Sequence, residues 1–113
     1  HIKKAKDIHL YKGKTIALAG IAITRKITST RNRQPMEFVT FEDETDLYEC
    51  VMFPETYKTF GDLLNWETLF LIQGKVEEAY SVYTVTIEKL ISLTQMIKRI
   101  KETKTVLTES LPQ

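Results

Sequence analysis

What most constrains this chain is the order of its β-type runs around a single helical stretch. Residues 15–28 (TIALAGIAITRKIT) form one long run rich in Ile and Thr, the composition of a strand. Gly20 lies in its middle, where a glycine often marks a bulge or a sharp bend. The polar, turn-forming segment Ser29–Pro35 leads to a second run at 36–42 (MEFVTFE). A third follows at 47–53 (LYECVMF), and the polar junction Asp43–Asp46 between them predicts a hairpin. Pro54 opens a helical stretch in which Tyr57, Phe60 and Leu64 recur at helical spacing. Residues 68–76 read as a buried strand and 80–93 as a long alternating one.

Few folds satisfy the order strand, strand, strand, helix, strand, strand in so short a span. The expected class is all-β, a five-stranded OB-fold barrel with one short helix between strands 3 and 4 and with N- and C-terminal extensions. A bent first strand serves both halves of such a barrel, which gives Gly20 a geometric role, and closure removes exposed sheet edges. Another small α+β sheet or sandwich is the alternative. The barrel is expected over 15–93, after a basic lead-in arm at 1–14 and before a tail at 94–113 leading toward a following domain. In that tail Ile97 and Ile100 suggest a short basic helix, and Thr105–Leu111 alternates like the first strand of something further on.

The formal charge of +1 conceals a partition. Residues 1–33 carry nine Lys and Arg against Asp7, residues 34–94 carry twelve acids against Lys58, Lys75 and Lys89, and residues 95–113 carry four bases and two acids. A segregated basic end can make a local positive field, although a solvated arm would have the same composition. A lone Cys50 excludes a disulfide framework and any Cys-based zinc site, and it suits a reducing compartment such as the cytoplasm. No apolar run approaches the roughly 18 residues that span a membrane, so no membrane partner is expected. There is no secretory signal and the chain opens on His1, which suggests a fragment of something longer.

Particular residues carry a resemblance as well. The segments Ala19-Gly20-Ile21, Met36-Glu37-Phe38-Val39-Thr40-Phe41-Glu42-Asp43-Glu44-Thr45, Phe53-Pro54-Glu55-Thr56-Tyr57 and Gln73-Gly74-Lys75-Val76 follow one another in the order of a known module. Over about residues 13–93 the chain resembles the OB domain near the C-terminus of bacterial DNA polymerase III alpha subunits. The resemblance implies a domain associated with the single-stranded template, set between other modules of a DNA-directed DNA polymerase. Two departures stand out. The loop Thr28–Gln34 has arginines where lysines are usual and lacks a glycine, and Asp46 replaces a usual turn glycine.

OB domains bind single strands across strands 2 and 3, between the loops joining strands 1–2 and 4–5. Alternation assigns Val39 and Phe41 inward and Phe38, Thr40 and Glu42 outward; in the next strand Tyr48, Cys50 and Met52 point inward and Leu47, Glu49 and Val51 outward. Phe38 is thus the expected stacking platform, worth roughly 1–3 kcal/mol per base. Tyrosine-like stacking is also open to Tyr80 beside the 4–5 turn, whereas Tyr83 shares the phase of Val85 and Ile87 and belongs to the core. Thr40 and Glu49 share the outward face, and Glu49 there repels phosphate yet can accept a bond from a base amino group. Arg25, Lys26, Arg31 and Arg33 are the cations expected to meet phosphate.

Catalytic chemistry finds no support. His1 and His9 lie in the lead-in, Cys50 reads as a small buried hydrophobe, and the four glycines are scattered. Glu42, Asp43, Glu44 and Asp46 lack the glycine and distal glutamate of a calcium loop and read as a solvated turn. No catalytic residue, metal or cofactor is expected in this segment. The leading expectation is an accessory module that holds single-stranded DNA weakly and salt-sensitively beside neighbouring polymerase domains. A module docking polymerase domains or other replication proteins, or an anticodon-like RNA-binding domain, are the alternatives.

Overall fold

A computed structural model describes residues 1–110. Its strands are β1 (Ile2–Lys3), β2 (Thr15–Ser29), β3 (Pro35–Glu42), β4 (Leu47–Met52), β5 (Leu69–Ala79) and β6 (Val82–Ser92). They form one sheet in the order β1-β2-β3-β4-β6-β5, and β2 also pairs with β5, which closes β2–β6 into a five-stranded barrel. The expected OB architecture is therefore present. Between β4 and β5 run α1 (Pro54–Phe60) and the single turn α2 (Leu63–Trp66), and α3 (Leu93–Ser110) follows β6. Among the described residues no helix is long and apolar enough to cross a membrane.

Closure depends on β2 serving two partners. Its residues Thr15–Ile21 pair with β5 and Ile21–Ser29 with β3, so the strand changes neighbours at Ile21. The register slips between Ala22 and Thr24, placing the bulge at Ile23 and not at Gly20. Gly20 has a different task. A Cβ there would lie 2.6 Å from the Tyr48 hydroxyl oxygen and 3.2 Å from the Phe41 Cβ. Its absence lets the Tyr48 hydroxyl donate to the Ala19 carbonyl at 2.9 Å inside the barrel.

The core follows the alternation expected from sequence. Val39, Phe41, Tyr48, Cys50 and Met52 are buried, with Leu18, Phe70, Ile72 and Ile87 facing them from the other strands. Phe41 meets Phe70 edge to face at 6.1 Å. Tyr57, Phe60 and Leu64 bring the α1–α2 segment onto this core, as their spacing predicts. Val51 belongs to the outward set but is buried, because it stands mid-sheet between Phe38 and Thr86.

Three expectations need correction. The lead-in is no solvated arm: β1 pairs in parallel with β2, and a 3-10 helix over Ala5–Tyr11 buries Ala5 and Ile8, which its three-residue repeat places on one side. Asp43 fastens it there. The Asp43 carboxylate accepts from the Ala5 N–H at 2.7 Å, while also accepting the Thr45 N–H and hydroxyl and the Asp46 N–H. The Lys6 N–H donates to the Thr45 hydroxyl at 3.1 Å, and Lys4 pairs with Glu44. Second, residues 105–110 continue α3 instead of starting a strand. No sheet edge receives them, and Thr105 and Thr108 satisfy their hydroxyls on carbonyls one helical turn earlier; Leu111 lies outside the described residues. Third, the last strand starts at Val82, because Tyr80 and Ser81 form the turn.

Candidate nucleic-acid interface

The barrel's closure assembles one transverse stripe. Register carries Lys26 to Phe38, Phe38 to Val51, Val51 to Thr86 and Thr86 to Lys75. Residues opposite one another in a ladder share a face. The stripe therefore runs Lys26, Phe38, Val51, Thr86, Lys75 across the outer surface, an aromatic and apolar centre with a lysine at each end. Phe38 is 44% exposed, so its side chain presents area to solvent.

A second stripe lies two residues further along each strand, about 7 Å away. It comprises Thr24, Thr40, Glu49, Thr84 and Glu77. The Thr40 hydroxyl donates to the Glu49 carboxylate at 2.8 Å, fixing that acid beside Phe38. The first stripe is thus cationic and the second anionic, which gives the face a direction.

Two turns bound it. Beyond the Phe38 stripe, the loop 30–34 is tied by the Thr30 N–H to the Gln34 carbonyl and the Arg33 N–H to the Thr30 carbonyl, both at 2.9 Å. Arg33 adopts φ 60°, doing without the glycine that such a position favours. Arg31 and Arg33 are exposed there. Beyond the acidic stripe, Tyr80 tips the β5–β6 turn and is 100% exposed. Tyr83 is half-buried against the core and hydrogen-bonds Glu78, which Lys12 also approaches.

Arg25 stands apart from the other cations. Its Nε donates to Glu37 at 2.5 Å and its guanidinium also reaches Asn65 of α2 at 2.7 Å. Glu37 is fully buried, and its hydrogen bond and charge hold the Arg25 guanidinium firmly protonated. Arg25 is consequently committed to the barrel's end, against the expectation that it meets phosphate. Lys26, Arg31 and Arg33 make no ion pair among the described residues, and neither does Lys75. Lys75 reaches this face only through the parallel pairing of β6 with β4, which no local pattern in the sequence signals. Cys50 is inert here, since complete burial pushes its thiol well up.

Residues 16–93 match the family described as OB-fold nucleic acid binding domain. The chain belongs to that family. Its relatives include the DNA polymerase III subunit alpha of Halalkalibacterium halodurans, 28% identical over 88 residues, 77% of this chain and 8% of that one. The error-prone DNA polymerase of Rhodopirellula baltica is 27% identical over 100 residues, 88% of this chain and 9% of that one. This OB domain thus spans less than a tenth of the length of these relatives. Among solved structures it is similar to asparaginyl-tRNA synthetase from Pyrococcus horikoshii, with a TM-score of 0.64 at 19% identity over 82% of this chain and 22% of that one. Rim1, a mitochondrial single-stranded DNA binding protein from S. cerevisiae, gives 0.59 at 9% identity over 73% and 97%. These two likenesses speak for the fold.

Proposed function

We propose that this OB domain is a single-stranded DNA-binding accessory module of a bacterial DNA polymerase III alpha subunit, working in the cytoplasm beside the other domains of that chain. The observation that carries the reading is the Lys26–Phe38–Val51–Thr86–Lys75 stripe. A base stacks on Phe38 while Lys26, Lys75 and the loop arginines Arg31 and Arg33 hold the flanking phosphates. Neither contact depends on base identity, so the module retains template without reading it. The acidic stripe and the twelve acids of residues 34–94 keep the affinity low. The polymerase relatives support the assignment to such a parent, whose chemistry, DNA-directed nucleotidyl transfer, belongs to other parts of the chain.

Fluorescence anisotropy with a labelled oligothymidylate tests this. Four phosphate contacts predict that log K falls against log salt with a slope of about −3. Phe38→Ala should weaken binding by about 1–3 kcal/mol, and Arg31→Ala/Arg33→Ala should flatten the slope. Absence of binding at low salt, or binding untouched by Phe38→Ala, refutes the proposal. Tighter binding to RNA of the same sequence would favour a reader of the 2′-hydroxyl instead.

A further inference from the structure

Helix α3 leaves the barrel with little to hold it. Ser92 Oγ accepts the Gln95 N–H at 3.1 Å, and Gln95 Nε2 donates to Glu67 at 2.9 Å. Further along, Ile100 and Leu107 are 61% and 62% exposed. A solvated helix gains most of its stability by packing an apolar face. α3 carries such a face, because Leu93, Ile100 and Leu107 recur at heptad spacing with Met96 and Ile97 beside them. A groove on its outer turns is lined by Arg99, Ile100, Thr103, Lys104 and Leu107. A neighbouring groove, between Leu63, Ile91 and Met96, carries the same apolar line down to the barrel wall.

The flanks of this seam decide what covers it. Counting heptads from Leu93, Arg99 and Lys104 occupy the two positions that border the seam on opposite sides. A second copy of α3 in parallel would set Arg99 against Lys104. In the antiparallel sense the most overlapped register sets Arg99 near Val106 and Lys104 near Ile97. Neither pairing gives the cations a counter-charge, and Thr103 adds a hydroxyl at the seam position between Ile100 and Leu107. Phosphate would suit the cations but leaves Ile100 and Leu107 in water. We infer that α3 is a docking helix for an amphipathic partner helix whose apolar seam is bordered by Asp and Glu. Such a partner removes Ile100 and Leu107 from water and sets a carboxylate against each cation. The surface shares no residue with the Phe38 stripe and operates independently of strand binding.

The test uses the full chain and two synthetic helical peptides of about three heptads, with Leu at the seam and either Glu or Lys at the flanking positions. Isothermal titration should show the Glu peptide binding and the Lys peptide failing to bind. Arg99→Glu/Lys104→Glu should reverse that preference, and Ile100→Ala/Leu107→Ala should weaken the Glu peptide about tenfold. Circular dichroism confirms that α3 persists in each variant, and the charge reversal stands as the decisive arm if the alanine pair unwinds it. Equal binding of both peptides, or of neither, overturns the inference. So does light scattering that reveals a dimer abolished by Ile100→Ala/Leu107→Ala, or a charge reversal that lowers oligothymidylate binding while leaving peptide preference unchanged.

Discussion

At the scale of single residues, the barrel sorts cations that look alike in sequence. Arg25 and Lys26 are adjacent, yet alternation turns Lys26 onto the outer stripe and Arg25 to the buried Glu37. Removing one partner of such a pair leaves an uncompensated charge, at about 3–5 kcal/mol. The Arg25 side chain is still 29% exposed, which favours the lower end. We therefore expect Arg25→Ala to lower the unfolding free energy by about 3 kcal/mol in urea titrations. Replacing Arg25 and Glu37 together by Met should restore most of that loss. Arg31→Ala should shift stability by no more than about 0.5 kcal/mol. A loss at Arg31 equal to that at Arg25 would show that the Glu37 pair is not what distinguishes them. The signal lay in the sequence, since Glu37 shares the phase of Val39 and Phe41, and an inward carboxylate requires a cation. Which cation answers it depends on the β2–β3 register, and the bulge at Ile23 shifts that by one residue.

At the scale of elements, the β5–β6 turn is the one place where backbone and residue choice disagree most. Tyr80 and Ser81 both take left-handed conformations, with φ 53° and 64°, in a two-residue hairpin that favours Asn-Gly. Each such residue costs about 1–2 kcal/mol. Keeping an exposed ring in a strained turn makes sense if the ring has work to do at the edge of the proposed interface. Tyr80→Asn/Ser81→Gly should stabilise the domain by about 1–2 kcal/mol in thermal or urea unfolding, while weakening oligothymidylate binding. Stabilisation with unchanged binding would remove Tyr80 from the interface. The strands around this turn were legible because period-two alternation is dictated by burial on one face. The end of α3 was not, since the alternation of residues 105–110 is too short to outweigh the lack of a strand partner among the described residues.

At the scale of the whole molecule, the lead-in and the β3–β4 hairpin are joined through Asp43. Partial burial pushes this carboxyl up, but the Thr45 hydroxyl and the N–H groups of Ala5, Thr45 and Asp46 outweigh that and hold it below the usual Asp range. A lowered folded pKa means that the stabilisation is complete above the ordinary Asp value of about 3.9 and is lost as pH falls through the folded value. Asp43→Asn should therefore destabilise the domain by about 1–2 kcal/mol at neutral pH. The gap from the parent should close as urea midpoints are followed into acid, and a gap independent of pH would show that the charge is not involved. The sequence by itself determined the barrel, its inward set and the outward Phe38, because burial imposes a period of two on any strand and the order of runs admits few closures. Tertiary structure alone decided that the lead-in is part of the fold, that Arg25 is spent on Glu37 and that Lys75 joins Phe38. Each of these unites residues distant along the chain or depends on the register between strands, and no local periodicity encodes that.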